Sequence, residues 1–222
     1  TAAQPSHDWS AYNPSLDFNI NANGTLNILE CMRKYAKNSI MIYMSTNKVY
    51  GDVVNYLKYK ELEKRFEIKG KFKNGFDETV SIDNSKHSPF GVSKVSGDLL
   101  VQEYGKYFGL NTCCLRAGCL TGENHAGVEL HGFLSYLFKS SYYQNKYFIY
   151  GYKGKQVRDN LSSYDVSTII YELYKNPPKP GEVFNIGGGR DSNISILEAI
   201  EKCQNLKKKK FNYKYINKAR SG

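Results

Sequence analysis

Phe90 and Lys94 stand four residues apart in "SPFGVSK". Ser88-Pro89 ahead of them reads as a helix start, with Ser as N-cap and Pro in the first turn. That spacing puts the ring and the ammonium on one helix face. A lysine so placed can lower a neighbouring acid's pKa by its charge; the alternative is a solvated helix Lys. A phenyl ring can neither donate, accept nor shuttle a proton. "STNKVYG" offers hydroxyls at Ser45 and Thr46, followed by Asn47, directly after the apolar run "SIMIYMS". Such a run is expected of a buried parallel strand. Ligands of open α/β sheets bind beyond the C-terminal ends of such strands, where a hydroxyl can hydrogen-bond a reacting alcohol oxygen. The same hydroxyl can equally satisfy the loop backbone.

Other chemistry is less well supported. "NIGGGRDS" follows a strand pattern and precedes a helix, but the third glycine of a dinucleotide fingerprint is replaced by Ser192, so a tight structural turn is expected. His87, His125, His131 and Cys119 match no zinc spacing, and no metal is expected. The five cysteines include no Cys-x-x-Cys pair, which fits a reducing cytoplasm rather than a disulfide framework. No apolar run approaches the ~20 residues of a membrane span. "TAAQPSHDWS" has no basic or apolar signal region. The net charge of +10 favours anionic ligands, but its densest run, "KKKK" at 207–210, reads as a solvated turn, and no nucleic acid is expected.

The elements that must position these residues alternate. "NINANGTLNILECMRKYAKN" (19–38) predicts a helix, 39–45 a strand, 88–108 a helix ended by Gly109, and "GLNTCCLRAG" a strand. That order argues for a parallel sheet covered by helices. The polar stretch 53–86 reads as an insertion with a short helix near 57–66. Beyond residue 120 the elements shorten: a helix in "VELHGFLSYLFKSSYY", an edge strand in "KYFIYGY", a polar loop in "GKQVRDNLSSYD", a helix stopped by "PPKPG", a strand in "EVFNI", a capping-boxed helix from Ser195 with Glu198, and a last strand "FNYKYI". The reading is α/β, with a helix-covered parallel sheet followed by a small α/β lobe of shorter elements.

Together the pieces resemble the extended short-chain dehydrogenase/reductase family, the NAD-dependent epimerases and dehydratases. "NANGTLNILE" resembles its Asn-x-x-Gly-Thr helix, and "STNKVYGD" its Ser-Ser/Thr-x-x-Val-Tyr-Gly stretch. "FGVSK" stands where the family has Tyr-x-x-x-Lys. "GKQVRDN" resembles its Arg-Asp motif, and "EVFNIGGG" its Asn-Ile-Gly turn. The longer stretches "SKHSPFGVSK", "GCLTGENHAGVELHGF" and "GYKGKQVRDN" look most like members that epimerise C2 of a CDP-linked dideoxyhexose.

The resemblance implies a Rossmann-type sheet, with 1–120 a partial NAD-binding domain and 121–222 mainly a nucleotide-sugar binding lobe, of which 173–190 can return to the sheet; it implies NAD as cofactor and a nucleotide sugar, CDP-linked, as partner. It implies a chain that is an internal fragment, lacking the N-terminal Gly-rich βαβ units and the end of the lobe. Thr46, Lys94 and Asn21 would be catalytic, with Phe90 at the position of the family tyrosine. Ala2, Ala3, Gln4, Ser45, Lys94 and Cys119 would face the cofactor. Thr46, Asn47, Asn124, His131, Gln156 and Arg158 would face the substrate, with Arg158 on the diphosphate. Helices at 21–35 and 90–108 would pair in a homo-oligomer. With Phe90 in place, His87, Tyr50 and Cys119 are the candidate bases, and a catalytically silent binding protein is the alternative, as is a dehydratase or reductase of the same family.

Overall fold

The computed structural model describes residues 3, 4, 6–129 and 131–219. Strands Ile40–Thr46, Asn111–Ala117 and Glu182–Ile186 form a parallel sheet with Asn111–Ala117 in the middle. The register sets Ser45 beside Arg116 and Thr46 beside Ala117, which in turn pairs Ile186. Residues 112–117 are all buried, as a central strand covered on both faces requires. Glu182–Ile186 lies late in the sequence yet belongs to this sheet.

The long helix Pro89–Phe108 packs across the sheet. Its start is fixed by Ser88, whose Oγ accepts from the Gly91 N–H at 3.1 Å, and its end by Gly109 at φ +68°. Leu29, Tyr43, Val101 and Cys114 interlock between helix Gly24–Tyr35, the long helix and the sheet. Leu29 and Val101 are fully buried, each worth about 2 kcal/mol of transfer free energy. Gly105 lets the helix touch the turn before the third strand: a Cβ there would collide with the Gly181 nitrogen.

The lobe has its own core, in which Leu137, Ile149, Ile200 and Phe211 bring helix Phe133–Tyr143 against helix Ile196–Lys207. Tyr147–Tyr150 pairs in parallel with Tyr213–Ile216. The Ser195–Glu198 capping box is present in both directions. No described helix is long and apolar enough to cross a membrane.

Several expectations need correction. The helix expected over 19–38 is a π-turn at Asn19–Asn23 followed by an α-helix at Gly24–Tyr35. The Thr25 hydroxyl donates to the Asn21 carbonyl at 2.6 Å inside that junction. The short helix expected near 57–66 is an antiparallel hairpin, Tyr59–Glu61 with Phe66–Ile68, whose aromatic rings meet edge-on across the strands. Cross-strand pairing outweighs the local helical spacing there. The loop expected after Gly154 contains two strands, Val157–Arg158 and Asn160–Ser162. Each is too short to show a period of its own and is defined by its partner: Ile194–Ser195, antiparallel, and Cys119–Thr121, parallel.

Candidate active site

The C-terminal end of the first strand carries the hydroxyl, and the first turns of the long helix carry the lysine. Lys94 is 7% exposed. Its ammonium donates to the Met44 carbonyl at 2.7 Å and stands 4.4 Å from the centre of the Tyr43 ring. Thr46, two residues on, caps the 3₁₀ turn Asn47–Tyr50, its Oγ1 accepting from the Lys48 N–H at 3.2 Å. The structure thus brings Thr46 and Lys94 to one sheet end, with Asn47 exposed beside them.

Burial holds the Lys94 pKa down, to about 8, against the opposing pull of Asp98. Below that pH the desolvation cost is present in full in the folded state. It is relieved as pH rises from about 8 towards 10.5, where the unfolded chain still keeps the proton. Stability is therefore expected to rise with pH across this window, by at most ~1.4 kcal/mol per unit. Urea unfolding at about pH 7.5 and 9.5 checks this against Lys94→Met, which should lack that component; equal pH dependence in both proteins contradicts it.

Phe90 is buried, and its ring meets His7 edge-on at 4.5 Å. His7 Nδ1 lies 3.0 Å from the Ser88 hydroxyl. Asn21 sits in the π-turn, a form of helix that often marks functional sites. Its amide donates to Ser93 Oγ at 3.1 Å, Asp17 Oδ1 at 3.3 Å and the Gln4 carbonyl at 3.1 Å, and its oxygen accepts from the Gln4 N–H at 3.1 Å. Ser93, between Phe90 and Lys94, also donates to Asp17 at 2.5 Å. Asn21 therefore braces the helix that carries Lys94 and fastens the chain at Gln4 to it.

A second buried network lies below the strand ends. Asp98, 1% exposed, accepts from Ser45 Oγ at 2.5 Å, Gln102 Nε2 at 2.7 Å, and Arg116 Nη2 and Nε at 2.8 and 3.1 Å. Arg116 Nη1 donates to the Tyr50 hydroxyl at 3.0 Å, which donates to Asn185 Oδ1 at 2.7 Å. Sequence reading missed this network, although Asp98 stands four residues after Lys94, on the same helix face.

On the lobe side Arg158 is exposed, its Nη1 donating to the Val157 carbonyl at 3.2 Å. Asp159 turns the other way and accepts from the Gly188 N–H at 3.0 Å, so it holds the glycine turn. Burial raises the pKa of Asp159 and of the Cys119 thiol, and for Cys119 the charges of Arg158 and Lys48 pull the other way. Asn124 is exposed in a turn. His131 packs edge-on against His125 at 5.9 Å. Gln156 donates to the Tyr150 carbonyl at 3.4 Å, while its buried Oε1 has no partner among the described residues.

Some expected contributions change. The Ser45 hydroxyl points down to Asp98 rather than out to a cofactor, because a buried carboxylate claims it. The Gln4 side chain is spent on Asp17 and the Ser6 carbonyl. Ala3 is exposed, and Ala2 lies outside the described residues. Neither His87 nor Tyr50 suits a base. The His87 ring lies between backbone carbonyls, its Nδ1 3.0 Å from that of Ser85 and its Nε2 2.8 Å from that of Val49, so whichever nitrogen carries the proton is engaged. The Tyr50 hydroxyl is held between Arg116 and Asn185. The neutral form of Cys119 is favoured by its burial.

A parallel sheet, a hydroxyl and a buried lysine at its C-terminal end, and a small lobe beside that end are the features of a Rossmann-type α/β fold. Residues 1–187 match the NAD dependent epimerase/dehydratase family, and the chain belongs to that family. It is similar to the CDP-paratose 2-epimerase of Salmonella typhi, 39% identical over 205 residues, covering 90% of this chain and 60% of the relative. The UDP-glucose 4-epimerase of Thermotoga maritima, solved with UDP-glucose, matches at TM-score 0.72 and 25% identity, over 100% of this chain and 64% of its own. The dTDP-glucose 4,6-dehydratase DesIV of Streptomyces venezuelae, solved with NAD and TYD, matches at TM-score 0.75 over 99% of this chain and 60% of its own; at 20% identity this is a likeness of fold. The chain thus spans about 60% of the length of the curated relatives it matches.

Proposed function

We propose that the complete protein is an NAD-dependent nucleotide-sugar epimerase that acts at C2 of a CDP-linked dideoxyhexose. The observation that supports this best is the convergence of Thr46 and Lys94, from separate elements, at one end of the sheet. The residues suit NAD at a testable point: Lys94 uses one of its three N–H donors on Met44, leaving two for ribose hydroxyls. When bound, NAD would supply the hydride acceptor and donor for the sugar carbon. Thr46 Oγ1 holds the oxygen on that carbon. Lys94 holds the ribose and adds positive charge. Asn21 keeps the helix in place, and Arg158 pairs with the diphosphate through its forked donors. A homo-oligomer through helices Gly24–Tyr35 and Pro89–Phe108 fits the exposed Ile28, Val92 and Leu99 on them.

Phe90 favours a second reading, in which the protein binds NAD and nucleotide sugar without fast turnover. A dehydratase or reductase reading shares the fold but has no further observation behind it. Titration calorimetry of the complete protein with NAD, then with CDP-, UDP- and dTDP-linked sugars, tests both readings. Saturable NAD binding and preference for the CDP sugar are expected. Protein that binds NAD but no nucleotide sugar refutes both, and binding that favours another nucleotide refutes the CDP assignment.

A further inference from the structure

We propose that the hairpin Tyr59–Glu61 and Phe66–Ile68 is a clasp that positions Arg158, with Arg65 its main grip, and so sets the affinity of the site for a nucleotide diphosphate. The inference rests on the reading of Arg158 as the diphosphate residue.

Arg158 is exposed, and its side-chain contact within the lobe is to its own neighbour's carbonyl, so its place is set by its backbone. That backbone is the two-residue strand Val157–Arg158, paired with Ile194–Ser195. Two residues of ladder do not hold a strand by themselves. The hairpin grips both sides of the pair. On one side the Phe66 N–H donates to the Lys155 carbonyl at 2.9 Å, and Lys155 Nζ returns to the Leu62 carbonyl at 2.8 Å and Glu61 at 2.7 Å. On the other, Ser195 Oγ, fully buried, donates to the Lys64 carbonyl at 2.6 Å. Arg65 Nη2 donates to Asn193 Oδ1, and Nη1 reaches Glu198 Oε1 at 3.4 Å. Glu198 in turn accepts from the Ser195 N–H at 2.8 Å. Arg65 therefore holds the segment on either side of Ile194, the residue directly opposite Arg158.

Exposed ion pairs contribute little to stability, and Lys64 with Glu201 is of that kind. Arg65 differs: its side chain is only 21% exposed, and its Nε is buried without a partner among the described residues. Its value here is geometric. A guanidinium grips a diphosphate through paired, directional hydrogen bonds, and misplacing it by an ångström forfeits them.

The test measures CDP and cytidine binding by titration calorimetry in the complete, NAD-loaded protein. Arg65→Ala is expected to weaken CDP about 10-fold, leave cytidine unchanged, and be partly rescued by Arg65→Lys. In an Arg158→Ala background, Arg65→Ala should change CDP binding no further, because the two act as one unit. Asn193→Ala removes the same contact from the other side and should give the same CDP-selective loss, which covers the case in which Arg65→Ala fails to fold. Equal losses for CDP and cytidine, an unchanged CDP affinity, or additive effects in the double variant overturn the clasp. If Arg158→Ala itself leaves CDP binding intact, the reading of Arg158 falls, and the clasp with it.

Discussion

Phe90→Tyr is expected to raise turnover of a nucleotide sugar by at least about 10²-fold in the complete protein. General acid–base catalysis by a positioned group is worth roughly 10²–10⁴-fold. The wild-type ring cannot supply it, and the other candidate groups are spent. His87 has both ring nitrogens walled by backbone carbonyls, Tyr50 is held by Arg116 and Asn185, and burial favours the neutral thiol of Cys119. What remains is a site with its support intact. Lys94 lies one turn beyond position 90 with its ammonium buried, so a hydroxyl introduced there meets a positive charge that lowers its pKa. Thr46 stands at the same sheet end. Single-turnover assays with the CDP sugar read the gain directly. A rate unchanged or lowered by the substitution shows that the wild-type protein moves its proton through another group. His7, edge-on to the Phe90 ring at 4.5 Å, is the first to replace in that event.

Much of this was legible in sequence because it is local. The Ser88-Pro89 start, the Gly109 stop and the Ser195–Glu198 box are written in neighbouring residues, and the structure has all three. The parallel order followed from alternating elements. What was hidden depends on residues far apart in the chain. The Tyr59–Ile68 hairpin and the Val157–Arg158 strand exist through their partners, and neither is long enough to show a period. Ser45 stands at the C-terminal end of a strand, where the resemblance implied a cofactor contact, yet a carboxylate 53 residues later draws its hydroxyl inward. A polar residue's direction is set by its partner, and a single sequence does not reveal partners at that separation.

That carboxylate supplies the largest expected loss of stability. Asp98 and Arg116 are 1% and 5% exposed and joined by two nitrogens of the guanidinium. Asp98→Ala leaves a buried guanidinium without its counter-charge and orphans the Ser45 hydroxyl. Breaking one side of such a pair costs about 3–5 kcal/mol. In a chain of this size that lowers Tm by roughly 10 °C, at about 2–4 °C per kcal/mol. Removing both charges should cost far less than removing one, because well-packed apolar replacements avoid the desolvation of each ion. Asp98→Leu with Arg116→Met is therefore expected to recover most of the loss in calorimetric Tm; a double variant no more stable than Asp98→Ala contradicts this. The pair also reaches the site. Asp98 opposes the burial that lowers the Lys94 pKa, so both variants should move the Lys94 titration further below about 8. The apolar double variant separates the two roles of Asp98: it should recover stability and leave Lys94 with the lowered pKa, readable by nitrogen NMR of its ammonium.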